Sequence, residues 1–509
     1  MEKTIPMLEG EYWYGLCAAH GTRMPFGPAS VYAHHATDPE AYTGNQEAPL
    51  LLSSKGRYLW SDFPYDTVIR DSVIRITNAA DDLLLGDGHE TLRGAYLAAC
   101  RTHFPPSGKL PPESFFRKPQ YNTWAELIYD QDQASILAYA RGILEHGLPA
   151  GILMIDDGWM CAYGSRLFRP DRFPDPEAMF RELHAMGFEV MLWVCPFISP
   201  DSPEFRALSA KDCLVKNRDG STAIRNWWNG YSAILDLSHP DAAAWLDETL
   251  GALLAMGCDG FKFDAGDVRY YRDDDRTWGN VPAHEQCRLW AKLGLKYPYN
   301  EYRASWGSAS LPLVERLCDK AHRWESVPRL LPDALIDGLL GYPFCCPDMI
   351  GGGSFTDFLP GAPSLKPELF ARYAEAAALM PMMQYSAAPW RVLDAFHAEV
   401  CRDMGRLHAA YADRIVTLAR HAAETGEPIM RMLAYEFPDE GYEETFDCFL
   451  VGSDLLVAPV LRDGERERTV RLPKGGGCCW RYTDGTVYEG GRTVTVPAPV
   501  EVLPRFERV

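Results

Sequence analysis

From Gln120 onward the chain alternates short apolar runs with amphipathic segments of helical length, and this rhythm restricts it to few architectures. The runs lie around Asn122-Thr123-Trp124 and at Ile152 to Ile155, Val190 to Val194, Phe261 to Phe263, Tyr302 to Ser305, Ala321 to Trp324, Phe344 to Cys346 and Met382 to Tyr385. Three intervening segments carry helix punctuation. One follows Asp132 and ends near Gly147, one opens on Asp175-Pro176 and stops at Gly187, and one runs from Pro240 to Gly257. About eight strand and helix units in series are what a (β/α)8 barrel of roughly 250 residues needs. A doubly wound open sheet would carry a glycine fingerprint after its first strand, and none is visible. The expected fold is α/β, with a TIM barrel over residues 116–425.

The flanks read differently. Residues 1–115 show short alternating stretches such as Arg57 to Trp60 and Asp71 to Ile76, broken by Gly, Pro and Asp, as in an antiparallel β domain. Pro105, Pro106, Pro111 and Pro112 mark a linker. After a helical stretch near Arg402 to Thr425 the β pattern returns at Phe446 to Val451, Asp454 to Pro459, Arg468 to Leu472 and Thr493 to Pro497. Residues 426–509 are expected to form a C-terminal β-sandwich.

Charge narrows the partners. Lys and Arg total 50 against 70 Asp and Glu, a formal charge of −20, which repels a phosphate backbone, so nucleic acid is not an expected partner. The N-terminus has no apolar run of signal-peptide length and no later run approaches membrane-spanning length, so the expected setting is soluble and cytoplasmic, away from membranes. The 14 cysteines are scattered without a C-x-x-C spacing, and HExxH, P-loop and GxGxxG patterns are absent. No metal or cofactor is anchored by the sequence.

A barrel of this type builds its site at the carboxyl ends of its strands. The second run ends in Asp156, Asp157 and Trp159, the third in Trp193, and the fourth carries Lys262 and Asp264. The fifth carries Arg303 and Trp306, and the later segments add Asp319, His322 and Trp324, then Asp348, then Gln384 and Trp390. Carboxylates converging with indoles suit a sugar, whose hydroxyls need charged acceptors and whose ring faces stack on aromatic surface. A single acid or indole at a strand end is more often structural. The recurrence of both on one face is what points to a site.

The runs FKFDAGD, LLGYPFCCPDMIGG, ELFARYAEAAALMPMMQYSAAPW, TGEPIMRML and VGSDLLVAPVL resemble glycoside hydrolase family 31, retaining α-glycosidases built on a (β/α)8 barrel flanked by β domains. The stretches NTW, IDDGW, VMLWVCPFISPDS and WWNG resemble a branch for which the resemblance implies α-galactosidase activity. It implies that Asp264 is the catalytic nucleophile. The family's usual WGGD is replaced by LCDKAHRWES, and spacing back from Gly341 places the family's general acid/base at Asp319, with Glu325 and Asp333 as substitutes. By the same resemblance Lys262, Arg303 and Trp227 contact the sugar and Asp156 or Asp157 holds its distal hydroxyls; their places at the strand ends add Trp193, Trp324 and Asp348 to the expected set. No cofactor is required for this chemistry. The expected ligand is a small α-linked oligosaccharide or glycoside, and a homo-oligomer is permitted. An α-glucosidase or α-xylosidase would use the same acids, and a carbohydrate-binding protein without turnover would keep the barrel but not the reaction.

Overall fold

The computed structural model describes residues 1–42 and 45–509. Among the described residues, eight parallel strands make the centre: β1 (Gln120–Asn122), β2 (Ile152–Ile155), β3 (Glu189–Val194), β4 (Gly260–Phe263), β5 (Tyr299–Tyr302), β6 (Glu315–Arg316), β7 in two pieces (Cys345–Cys346 and Met349–Ile350) and β8 (Gln384–Tyr385). The first piece of β7 pairs with β6 and the second with β8, while Gln384 of β8 lies opposite Gln120 of β1, which closes a (β/α)8 barrel. The strands are buried on both faces, as parallel strands under helices must be. In β4 the alternation of side chains separates the two duties. Phe261 and Phe263 pack outward on Tyr297, Trp290 and Tyr302, and Lys262 points inward.

The helices begin and end where their capping residues dictate. In α1 (Gln133–Glu145) the Asp132 carboxylate accepts from Ser135 N and Ser135 answers on the Asp132 backbone. Asp175 caps α2 (Pro176–Ala185), with Pro176 supplying a pre-set first turn. The next helix, α3 (Pro240–Met256), ends because Gly257 takes φ 120°, a conformation that side chains rarely adopt. Helices α4 (Ala283–Leu293), α5 (Leu330–Leu339), α6 (Pro367–Ala377) and α7 (Ala395–Ala410) complete the elements used below.

The sixth strand differs from the expectation. Ala321 to Trp324 is not a strand: Trp324 opens a short 3-10 turn (Trp324–Arg329), and the pairing falls to Glu315–Arg316. The real strand is two residues long and consists of two ionisable residues, so hydropathy could not mark it. The shift moves Asp319 to a point three residues beyond the end of β6.

The N-terminal region forms two antiparallel sheets, and a strand from the barrel, Ser305–Trp306, pairs parallel with Gln46–Ser53 of the second. Before the proline stretch a helix (Leu92–His103) appears where only β structure was expected. The C-terminal region is a sandwich. A six-stranded sheet faces the pair Glu467–Arg471 and Thr493–Pro497, with Val470 and Val496 buried against Leu456, Trp480 and Phe506. None of the helices among the described residues is long and apolar enough to cross a membrane.

Candidate active site

A cavity of about 360 Å³ opens at the carboxyl end of the barrel. Its walls include Asp156, Asp157, Trp193, Lys262, Asp264, Arg303 and Asp319. Trp227, Trp324 and Asp348 do not line it.

Asp264 follows β4 directly and is almost fully buried. One oxygen, Oδ2, accepts from the Trp193 indole at 2.8 Å, and the other accepts from Ala265 N at 2.9 Å with Arg303 Nε also at 2.9 Å. Burial pushes its carboxyl up, but Arg303, Lys262 and Arg316, with the indole bond, outweigh burial and hold it down at about 2. At neutral pH it is an anion aimed into a cavity, a state suited to nucleophilic attack.

The cations around it are themselves held. Arg303 Nη2 donates to both oxygens of buried Asp267, at 2.9 and 2.8 Å, and its guanidinium lies 4.9 Å from the Trp228 ring. Asp267, the second acid of the FDAGD run, therefore positions Arg303. Lys262 Nζ donates to Asp156 Oδ2 at 2.6 Å, both side chains being buried. Asp156 therefore meets the cavity wall already paired. Asp157 is held differently: its Oδ2 accepts from Tyr163 Oη at 3.0 Å and Asn229 Nδ2 at 2.6 Å, and no cation among the described residues pairs with it. Burial, with Asp156 as the next contributor, pushes Asp157 up to about 7.

Asp319 presents a half-exposed side chain to the cavity and accepts from Arg316 Nη1 at 2.6 Å. The enclosed setting raises its carboxyl, but Arg316, then Arg303 and Lys262, draw it below the ordinary carboxylate range. Gly353 leaves room for it. A Cβ at that glycine would come within 2.6 Å of Asp319 Cγ, and Gly353 O is itself held by the Trp124 indole at 2.9 Å.

The remaining expected residues serve around the cavity. Trp227 is buried, stacks on Phe197 at 4.3 Å and donates to Ser232, whereas its neighbour Trp228 lines the cavity. Trp227, expected as the sugar contact, ends the strand Ile224–Trp227 with its indole packed inside, and Trp228, in the turn before Gly230–Ile234, is the indole on the wall. Asp348 sits in the break of β7, where it accepts from Arg316 Nη1 at 3.3 Å, Lys320 N at 2.7 Å and Tyr373 Oη at 3.2 Å. Trp324 is half-buried on its turn. Of the substitutes for Asp319, Glu325 is exposed outside the cavity and Asp333 is buried against Lys320 at 3.1 Å. Sequence reasoning missed Arg316, Trp124, Tyr129, Trp228 and Phe355 on the wall. Arg316 was missed because its strand was placed elsewhere; its spacing three residues before Asp319 was the available signal.

A (β/α)8 barrel with paired carboxylates and indoles around one mouth is the architecture of the barrel glycoside hydrolases. The family model for the glycosyl hydrolases family 31 TIM-barrel domain matches residues 115–417, and that for the family 31 C-terminal domain matches residues 426–509. The chain belongs to glycosyl hydrolase family 31. It is 34% identical over 414 residues to the myogenesis-regulating glycosidase of Mus musculus, covering 79% of this chain and 57% of that one. It is 26% identical over 412 residues to alpha-glucosidase 2 of Bacillus thermoamyloliquefaciens, covering 74% and 50%. A GH31 dextranase of Flavobacterium johnsoniae, solved in complex with glucose, shares the fold with a TM-score of 0.83 at 20% identity, over 100% of this chain and 66% of that one. The chain spans about half the length of the curated relatives it matches.

Proposed function

We propose that the chain is a retaining α-glycoside hydrolase whose preferred substrate is a small α-galactoside. The observation that carries this reading is the state of Asp264, a carboxylate kept anionic by three cations at the wall of a sugar-sized cavity that Asp319 shares. In the first step Asp264 attacks the anomeric carbon while Asp319 gives a proton to the leaving oxygen. In the second, Asp319 takes a proton from water, which displaces Asp264 from the sugar. Arg303 keeps the nucleophile ionised, and the Trp193 bond fixes the direction of its attacking lone pair.

Substrate choice rests on Asp157. Galactose has an axial 4-hydroxyl, and a buried acceptor placed for it leaves an unpaired polar group when the epimer binds. Among the described residues Asp157 is the wall carboxylate that pairs with no cation, which favours it over Asp156 for that contact. The likeness to myogenesis-regulating glycosidase supports placing the chain in that branch, whereas the likeness to alpha-glucosidase 2 supports an α-glucosidase or, on the same acids, an α-xylosidase. The test is a panel of 4-nitrophenyl α-galactoside, α-glucoside and α-xyloside, with NMR of the first anomer released. Preference for the glucoside or xyloside overturns the galactosidase reading, release of the β-anomer overturns retention, and absence of turnover on all three favours a carbohydrate-binding protein.

A further inference from the structure

The two carboxylate oxygens of Asp157 are not equivalent. Oδ2 accepts from Tyr163 Oη at 3.0 Å and from Asn229 Nδ2 at 2.6 Å. Among the described residues no group donates to Oδ1, and Asp157 lines the cavity, so Oδ1 is the acceptor it can offer a ligand. Asn229 sits in the turn between the strands Ile224–Trp227 and Gly230–Ile234. Its own amide oxygen accepts from Tyr129 Oη at 3.0 Å. The amide has one workable orientation: turned over, its oxygen would face Asp157 Oδ2 at 2.6 Å, acceptor against acceptor. With the NH2 group on the carboxylate and the C=O on the phenol, Tyr129 must donate. Its one proton is spent on Asn229, and its oxygen keeps only lone pairs for the cavity that Tyr129 also lines.

Several contacts hold Tyr129 in that place. Ile128, just before it in the 3-10 turn Ile128–Asp130, takes φ 54°, a left-handed conformation that a β-branched residue adopts only under constraint. Arg172 Nη1 donates to Tyr129 O at 2.8 Å, and the Trp124 ring lies T-shaped to the phenol with centroids 5.4 Å apart. Joined through one amide, Tyr129 Oη and the Asp157 carboxylate lie no more than about 8 Å apart. Two neighbouring hydroxyls of one sugar, each donating across about 2.8 Å, span such a gap.

We propose that Asn229 is a positioning residue that sets the hydrogen-bond polarity of this wall, so that Asp157 and Tyr129 act as paired acceptors for two neighbouring hydroxyls of the sugar. This deepens the glycosidase reading above and rests on it: Asp157 takes the 4-hydroxyl, and Tyr129 takes the hydroxyl next to it on C3 or C6. Both ligand groups have to donate. A sugar that lacks either hydroxyl, or carries fluorine or an ether there, leaves a wall acceptor unpaired and is a poor substrate. Asn229 itself does not line the cavity and acts through the two residues it bonds.

The test is a set of kinetic cycles at about pH 8, above the value of about 7 to which Asp157 is raised, so that its carboxylate is charged. The substrates are the 4-nitrophenyl α-glycoside that the wild type hydrolyses best and its 3-, 4- and 6-deoxy and deoxyfluoro analogues. Tyr129→Phe should lower kcat/KM on the parent about tenfold. On the deoxy analogue of its own position, C3 or C6, that loss should vanish. It should vanish equally on the fluoro analogue there, because fluorine cannot donate; the inductive slowing by fluorine is common to both enzymes and cancels. Asn229→Leu frees the phenol proton, so the ratio of fluoro to deoxy turnover at that position should rise about threefold over the wild type, and an unmoved ratio counts against the proposal. Equal losses on the parent and every analogue would show a structural role and overturn it. A Tyr129→Phe loss that persists on the fluoro analogue would mean that Tyr129 donates, which overturns it as well. Tyr129 is 39% exposed, so Tyr129→Phe decides alone should Asn229→Leu not fold. A wild type that prefers the glucoside sinks the galactosidase reading but not this one, which the same cycles on the glucoside decide. If no glycoside is turned over, calorimetric binding of the methyl α-glycosides and their deoxy analogues to the same variants decides it, and a protein that binds none of them overturns it.

Discussion

Arg303→Gln isolates the electrostatic hold on Asp264, the proposed nucleophile. In the wild type the Arg303 Nε lies 2.9 Å from Asp264 Oδ1, and Asp264 sits at about 2. Unit charges whose centres are about 4 Å apart interact by about 4 kcal/mol at an effective dielectric near 20. That is about three pKa units, so the variant should bring Asp264 to about 5. Because the anion is the reactive form, activity is lost as pH falls through the carboxyl's pKa. The acidic limb of kcat/KM on an activated aryl α-glycoside should therefore appear near pH 5 in Arg303→Gln and stay out of range in the wild type and in Arg303→Lys. At pH 7 Asp264 of the variant is still ionised, so any loss there reports lost positioning. Asp267 keeps Arg269 at 3.6 Å as a partner, and a thermal melt checks that the variant is folded. A folded Arg303→Gln whose limb remains below pH 4 would mean that Lys262 and Arg316 suffice to hold Asp264, and the reasoning would fail.

Asp264→Ala should abolish hydrolysis while the protein stays folded, with azide restoring part of the rate on an activated substrate; retention of more than about a tenth of the wild-type rate would remove Asp264 from the nucleophile's role. Asp157→Asn should shift the ratio of α-galactoside to α-glucoside turnover, whereas Asp156→Asn should mainly lower stability, by about 3 to 5 kcal/mol, because it leaves Lys262 buried without its anion; the opposite pattern in kinetics and melts would exchange their roles. Gly353→Ala should slow turnover of poor leaving groups more than activated ones, since the added methyl group displaces Asp319, and equal slowing would show a general distortion. Stability should fall between about pH 6.5 and pH 8. Asp157 and Asp348 are raised to about 7 and Glu315 and Glu375 to about 8, so there the folded state binds more protons than the unfolded one, and this contribution is lost as pH rises through the folded values. Below that window His20, His284 and His408, each held down at about 4 by burial, act in the opposite sense. Melting temperatures that rise across the upper window would contradict it.

The barrel itself was legible in the sequence because its signals are local. Apolar runs long enough to register gave β2, β3 and β4, and Asp132, Asp175, Pro240 and Gly257 marked helix ends through bonds that span only a few residues. The same locality placed Asp264 and Lys262, since the alternation within GFKF fixes which side chain looks inward. What the sequence left open was decided by contacts between distant segments. A two-residue charged strand such as β6 exists only because β5 and β7 pair with it, so Arg316 stayed hidden and Trp324 was given a wall position it does not hold. Whether Trp227 or Trp228 faces the cavity depended on the hairpin's packing on Phe197. The separation of Asp156 from Asp157, adjacent and chemically identical, came from Lys262 reaching across the barrel to one of them. Charge state is the extreme case, because it is summed over strands: Asp264 and Asp348 are the same residue, yet Arg303, Lys262 and Arg316 outweigh burial and hold the first down at about 2, whereas burial, with Asp319 next, outweighs Arg316 and lifts the second to about 7.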